Sequence, residues 1–296
     1  MLQEPELTDG VVVLRPRQAG NGSHLFAVTH DGEEMGTVSL SERPDGRGRL
    51  DWELAAGSAD QSYATRALGL LVDYAFRAVG LDRVEALVDP ADERDVRVAT
   101  RSGLRREGVL RGHRLVDGDR EDQVVLARLA TDPPTADPQG FRSLLNSFLP
   151  RKRAIAQMLV RDDQGRVLLC RLTYKSDWDL PGGVVEVNES PQDAVAREVE
   201  EELGLQIPAG PLLLTDWLPP WSGWDDALCL VFDGGVREPS VLQDAVLQER
   251  EIASADFCTA AEVREHCADF TARRIESALA SLAGPGGPAY TESGRR

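Results

Sequence analysis

Gly182-Gly-Val-Val-Glu-Val-Asn-Glu-Ser-Pro-Gln-Asp-Ala-Val-Ala-Arg-Glu-Val-Glu-Glu-Glu-Leu-Gly204 is the stretch that decides how this chain folds. Ser190 offers an N-cap oxygen, Pro191 suits the first helical position, and Asp193 completes a capping box. Gly204 supplies the left-handed terminator. These signals predict a helix over about 191–203. Val195, Val199 and Leu203 are four apart and make one apolar stripe. Glu198, Glu201 and Glu202 fall on another face, with Glu189 just before the cap. Like charges at that spacing repel by a few tenths of a kcal/mol per pair. Glu201 and Glu202 also stand near the helix C-terminus, where the macrodipole disfavours anions. A solvated acidic face is the ordinary meaning of a Glu-rich helix. Position argues for another: hard oxygen ligands converging on Mg²⁺ or Mn²⁺ would offset both penalties.

The stretch resembles the Nudix box, Gx5Ex7REUxEExGU, where U is a bulky aliphatic residue. Gly183, Glu189, Arg197, Glu198, Val199, Glu201, Glu202, Gly204 and Leu205 match its fixed or class-restricted positions. The resemblance implies an α/β/α sandwich over 151–284 that hydrolyses a nucleoside diphosphate linked to another group, using metal-activated water. It makes Glu198, Glu201, Glu202 and the Gly183 carbonyl metal ligands. Arg197 would orient Glu198 by a bidentate pair, and Glu189 would brace the loop or join the outer metal shell. The family often places a further acid outside the box. Glu249, Glu251 and Asp256 precede Phe257, and spacing favours Glu251 as that base or ligand. Four of the five tryptophans lie in this half, and Trp178, Trp221 and Trp224 are the candidates for stacking on a nucleobase.

Working outward, Thr131-Asp-Pro-Pro-Thr-Ala-Asp-Pro-Gln-Gly140 interrupts both helix and central strand. It divides the chain into a first domain over 1–130, a linker with a short helix over 131–150, and the second domain. Residues 285–296, rich in breakers nearby and without periodicity, read as a flexible tail.

The first half reads as four strands, a helix, a strand, a helix and a closing hairpin at Asp117-Gly118. Ala64-Thr-Arg-Ala-Leu-Gly-Leu-Leu-Val-Asp-Tyr-Ala-Phe76, Gly80-Leu-Asp-Arg-Val-Glu-Ala86 and Arg106-Glu-Gly-Val-Leu-Arg111 resemble GNAT acetyltransferases of the ribosomal-protein-modifying type. That implies a mixed sheet with helices, so the whole chain is expected to be α+β or α/β in two domains. Ser62, Tyr63 and Ala64 mark where CoA would bind if this half binds it. The departures point to a degenerate domain. The family's R-G-Q-G-Y-A stands here as Ala59-Asp-Gln-Ser-Tyr-Ala64, without its glycines and with an anion where a phosphate should sit. Asp92 and Asp95 replace an Asn and a Ser, and the two helices that wall the acceptor site are missing after Arg15-Pro16. Acetyl-CoA is therefore not expected as a cofactor.

Composition sets limits. The 296 residues carry 33 Lys+Arg against 50 Asp+Glu, a formal charge of −17, which argues against coating nucleic acid. Arginine supplies all but two of the cations, the exceptions being Lys152 and Lys175. No apolar run approaches the ~18 residues of a membrane span. Cys170, Cys229, Cys258 and Cys267 show no metal-type or disulfide spacing, so free thiols and a cytoplasmic protein are expected. An exposed sheet edge in the truncated domain offers a pairing surface for a second copy. Two other functions compete with the hydrolase: an N-acetyltransferase carrying an accessory Nudix domain, and a nucleotide or CoA sensor without turnover.

Overall fold

The computed structural model describes residues 4–20, 22–54, 61–284 and 289–295, and the chain divides after Pro150 into two compact units. In the first, eight strands form one sheet: β1 (Leu7–Thr8), β2 (Val13–Arg17), β3 (Ser23–His30), β4 (Glu33–Arg43), β5 (Arg47–Leu54), β6 (Arg83–Val88), β7 (Arg105–Val116) and β8 (Asp119–Leu129). Their order is β1-β2-β3-β4-β5-β6-β8-β7. Asp31-Gly32 and Asp117-Gly118 turn the hairpins with positive φ at both residues, the conformation these two residue types accept most readily. Strands β5 and β6 run parallel, with paired residues from Arg47–Arg83 to Arg49–Glu85.

Helices α1 (Gln61–Tyr74) and α2 (Glu93–Arg101) cover one face of this sheet. Leu68, Leu71, Val72 and Val98 pack there against Leu40, Leu50, Val84 and Leu126. The helix expected to run on to Val79 widens into a π turn over Ala75–Val79, closed by Gly80 at φ 81°. The short helix expected within 131–150 is present as α3 (Pro138–Phe148), but not as a linker. Leu144 is buried and Ser147 Oγ accepts from the Arg106 N–H at 3.2 Å, so this segment belongs to the first unit.

The second unit has strands β9 (Arg153–Arg161), β10 (Val167–Leu172), β11 (Gly182–Val184), β12 (Leu212–Leu218), β13 (Ala227–Val236), β14 (Ile252–Cys258) and β15 (Tyr290–Glu292). They are ordered β14-β10-β9-β13-β12-β15, with β11 also on β9. Helix α4 (Pro191–Leu203) seals one face through Ala194, Val195, Val199 and Leu203. The other face lies under α5 (Ala260–His266) and α6 (Asp269–Leu282), through Val263, Ile275 and Ala278. This is the expected α/β/α layering.

Four strands escaped the sequence reading, the short Leu7–Thr8 and Gly182–Val184 among them. Ile252–Cys258 is an edge strand whose pattern of burial is irregular, and Tyr290–Glu292 lies in the stretch read as a flexible tail. Over 289–295 that expectation is corrected: β15 pairs in parallel with β12, and Thr291 is fully buried. No described helix is long and apolar enough to cross a membrane.

Candidate active site

Helix α4 begins as its sequence dictates. Ser190 Oγ accepts from the Asp193 N–H at 3.1 Å, Pro191 occupies the first turn, and Gly204 ends the helix at φ 67°. Asp193 completes the cap by accepting from the Ser190 hydroxyl, at 2.6 Å, rather than from its backbone. At the far end, the carbonyls of Glu202 and Leu203 accept from the N–H groups of Gln248 and Val246. Helix α4 is thereby tied to the segment that delivers Glu251 at the start of β14. Glu251 is fastened in turn, its carbonyl accepting from the Thr173 N–H at 2.9 Å.

Strand β11 passes under the helix. The Gly182 N–H donates to Glu202 Oε2 at 3.0 Å, and Glu202 is 6% exposed. Glu198 lies directly over Gly183: a Cβ there would stand 2.5 Å from the Glu198 carboxyl carbon. The box requires glycine at this position because a carboxylate occupies the space of its side chain.

Arg197 corrects one expectation. Its fork closes on Glu189, with Nε to Oε1 at 2.8 Å and Nη2 to Oε2 at 3.0 Å. Nη1 makes single bonds to Glu198 at 2.9 Å and Glu201 at 3.0 Å. The bidentate pair therefore braces the loop, where Glu189 also accepts from the Glu186 N–H at 3.1 Å. Glu198 is oriented by the remaining nitrogen.

Burial lifts the Glu202 carboxyl to about 8, with Glu198, Glu251 and Asp179 adding to the rise and the Gly182 N–H opposing it. Burial also raises Glu198, against Arg197 and with help from Glu201 and Glu251. Glu198, Glu202 and Glu251 thus form one mutually repelling group. Glu201 stands apart, its side chain 60% exposed and turned to Arg197. Among the described residues no three acidic, imidazole or thiol side chains are gathered closely enough to hold a cation as they stand. The donors are nonetheless of one kind, carboxylate and carbonyl oxygen, which suits Mg²⁺ or Mn²⁺ and not a softer metal.

The tryptophans separate into two groups. Trp221 and Trp224 pair through their backbones at 2.8 and 3.0 Å on the β12–β13 loop and are 53% and 58% exposed. Arg153 lies 4.9 Å from the Trp224 ring centre, and Phe270 meets Trp221 edge-on at 5.4 Å. Trp178 does not join them. It stacks on His266 at 4.8 Å, a pairing between the β10–β11 segment and α5 that sequence spacing does not reveal.

Sequence reasoning also missed Lys175 and a buried polar network. Lys175 Nζ donates to Asp179 Oδ2 at 2.8 Å. Arg274 on α6 and Asp216 on β12, with side chains 2% and 0% exposed, pair at 2.9 Å. A lone Arg within an apolar helical stripe, at the third position after Thr271, was the available signal.

In the first unit, Ser62, Tyr63 and Ala64 occupy the first turn of α1. Ala64 is buried, and the Tyr63 ring packs 4.4 Å from His30. Asp60, read as an anion in the phosphate loop, lies outside the described residues. Asp92 caps α2 by accepting from the Asp95 N–H at 3.0 Å, and Asp95 accepts from the Trp52 indole at 3.0 Å.

Comparison with known proteins agrees with both resemblances. The NUDIX domain model matches residues 150–279, and the acetyltransferase (GNAT) domain model matches residues 6–105. A MutT-like protein of Streptomyces ambofaciens is 46% identical over 54 residues, covering 18% of this chain and 34% of that protein. The chain thus spans about a third of that relative. The nucleoside triphosphatase NudI of Escherichia coli is 34% identical over 111 residues, covering 34% of this chain and 74% of that enzyme. The MutT protein of Methanosarcina mazei Go1 is 25% identical in structure alignment, covering 46% of this chain and all of that one, with a TM-score of 0.39. With the box intact on α4 and the relation to NudI spanning most of that enzyme, the chain belongs through its second unit to the Nudix hydrolase family.

Proposed function

We propose that the second unit is a pyrophosphohydrolase that cleaves a phosphoanhydride in a nucleoside diphosphate linked to a further group, nucleoside triphosphates foremost. The observation that carries this reading is Glu202: a carboxyl 6% exposed and held by one backbone N–H, on the helix that also sets Glu198 over Gly183. Burial of an acid with so little to hold it destabilises the fold unless a cation joins it. Glu198, Glu202 and the Gly183 carbonyl are the proposed ligands of Mg²⁺ or Mn²⁺, with Glu201 joining them by leaving Arg197. Such a cation, when bound, supplies positive charge against the phosphoanhydride oxygens and makes water more acidic.

The chain's own residues do the rest. Arg197 keeps Glu198 turned toward Gly183 and closes the loop on Glu189. Gly182 fixes Glu202. Glu251, across from both on the β14 side, is the proposed base that takes the proton of the attacking water. Trp221 and Trp224 offer exposed rings for the base. That one relative is a nucleoside triphosphatase supports the substrate class. No acetyl transfer is assigned to the first unit, whose Asp92 and Asp95 serve the α2 cap and Trp52.

Phosphate and pyrophosphate release from a nucleotide panel, wild type beside Glu202→Gln, tests the reading. Turnover that requires added Mg²⁺ or Mn²⁺ and falls at least about a hundredfold in the variant is expected. Equal turnover in both chains, or none in the wild type with metal bound, refutes it.

A further inference from the structure

A line of hydrogen bonds runs from the C-terminal strand to the rim of the acidic group. Thr291 Oγ1 and the Gly294 N–H donate to Asp216 Oδ1 at 2.7 and 2.8 Å. Arg274 Nε donates to Asp216 Oδ2, and its Nη1 to Gln157 Oε1, both at 2.9 Å. Gln157 Nε2 donates to Asp179 Oδ1 at 2.8 Å, and Lys175 Nζ to Asp179 Oδ2 at 2.8 Å. Lys175 ends the line. Among the described residues it has no acceptor but Asp179, so two of its three N–H groups are uncommitted.

Its position is what gives this meaning. Thr173 fastens the start of its loop to Arg250 and Glu251, at 2.6 and 2.9 Å. Asp179 stands three residues before Gly182, whose N–H holds Glu202, a span of at most about 10 Å of extended chain. The charge of Asp179 is felt at Glu202, and Tyr174, beside Lys175, is in the field of both Glu202 and Glu251.

An ion pair serving Asp179 alone is the simpler reading, since Lys175 alone holds Oδ2, but it engages one N–H of the ammonium and only half of Asp179. Its Oδ1 is already held by Gln157 and by the Leu180 N–H at 3.0 Å. Residue type adds to this, in a chain that elsewhere uses arginine almost throughout. A guanidinium fork would lock onto the carboxylate, whereas an ammonium on a flexible stem can exchange one anion for another.

We propose that Lys175 binds the polyphosphate of the substrate, parked on Asp179 between turnovers and positioned through Gln157 by the buried Arg274. This rests on the reading of the unit as a phosphoanhydride hydrolase. Lys175 touches substrate; Asp179, Gln157 and Arg274 are positioning residues.

The test is calorimetric titration of the full chain, with Mn²⁺ present, by a nucleoside triphosphate whose α–β and β–γ bridging oxygens are both replaced by methylene. Lys175→Ala, on a surface loop, should weaken binding about tenfold, and Lys175→Arg, its fork locked on Asp179, should weaken it by about as much. Gln157→Ala should weaken binding in the same direction, and adding it to Lys175→Ala should cost no more than about twofold further. If Gln157→Ala does not fold, Asp179→Asn replaces it in the cycle. Equal affinity of wild type and Lys175→Ala, or no binding by wild type, overturns the proposal. Additive losses overturn the positioning role. Hydrolysis does not enter this readout: Lys175-dependent binding without product release would refute the enzyme and leave the cation's role standing. Turnover with unaltered binding in Lys175→Ala would do the reverse.

Discussion

The two units place their carboxylates in opposite ways. On α2 of the first, Asp92 caps the helix and Asp95 takes the Trp52 indole, so one acid closes the helix and the other ties it to the sheet. On α4 of the second, a neutral Ser190 does the capping, and Glu198 and Glu202 are left facing each other and Glu251. The first arrangement stabilises a fold. The second weakens it locally, since burying a carboxyl with one N–H to hold it is expensive. What separates the units is therefore how their acids are buried, not their number. An exposed acidic surface would show no such effect, because water screens it.

Three experiments would break or sharpen this contrast. The largest effect is expected at Arg274–Asp216, the one ion pair among the described residues with both side chains buried. Asp216→Ala strands Arg274 in the core and should cost about 3–5 kcal/mol. The loss is read by urea unfolding followed through tryptophan fluorescence, which reports mainly on this unit because four of the five tryptophans lie in it. An unchanged midpoint would show that the network is peripheral.

A smaller effect, confined to the site, is expected from Gly183→Ala. The new methyl must displace the Glu198 carboxylate, which a Cβ would approach to 2.5 Å. Metal-dependent turnover should fall at least about tenfold, roughly the loss of one oriented ligand, with the urea midpoint nearly kept. Full activity would mean that the closeness of Glu198 to the loop has no part in the chemistry.

The smallest effect is expected in the first unit. If its ligand loop is degenerate, acetyl-CoA at about 100 μM should leave the thermal midpoint unchanged within error, since only a bound ligand shifts it. A rise of several degrees would give this unit a ligand and narrow the contrast.

Much of this was legible in the amino-acid order. Ser190, Pro191 and Gly204 bound a helix whose apolar stripe and glutamates follow from spacing, and local rules suffice for such an element. The same rules found both Asp-Gly hairpins. They failed where the cause is tertiary. Tyr290–Glu292 looks like tail because its order comes from Asp216, 75 residues from Thr291. Arg197 was expected on Glu198, its neighbour, but its fork prefers Glu189 one loop away, where two oxygens match two nitrogens. Lys175 carried no motif, and its meaning depends on Asp179, Gln157 and Arg274 meeting in space.

The most direct test of the central claim is Mn²⁺ titration of the full chain, read by electron paramagnetic resonance, for wild type and Glu202→Gln. The account predicts a site in the wild type that weakens at least about tenfold when this one oxygen becomes an amide, with Glu249→Gln unaffected. Identical Mn²⁺ binding in wild type and Glu202→Gln would contradict it, and the burial of Glu202 on α4 would then need another explanation.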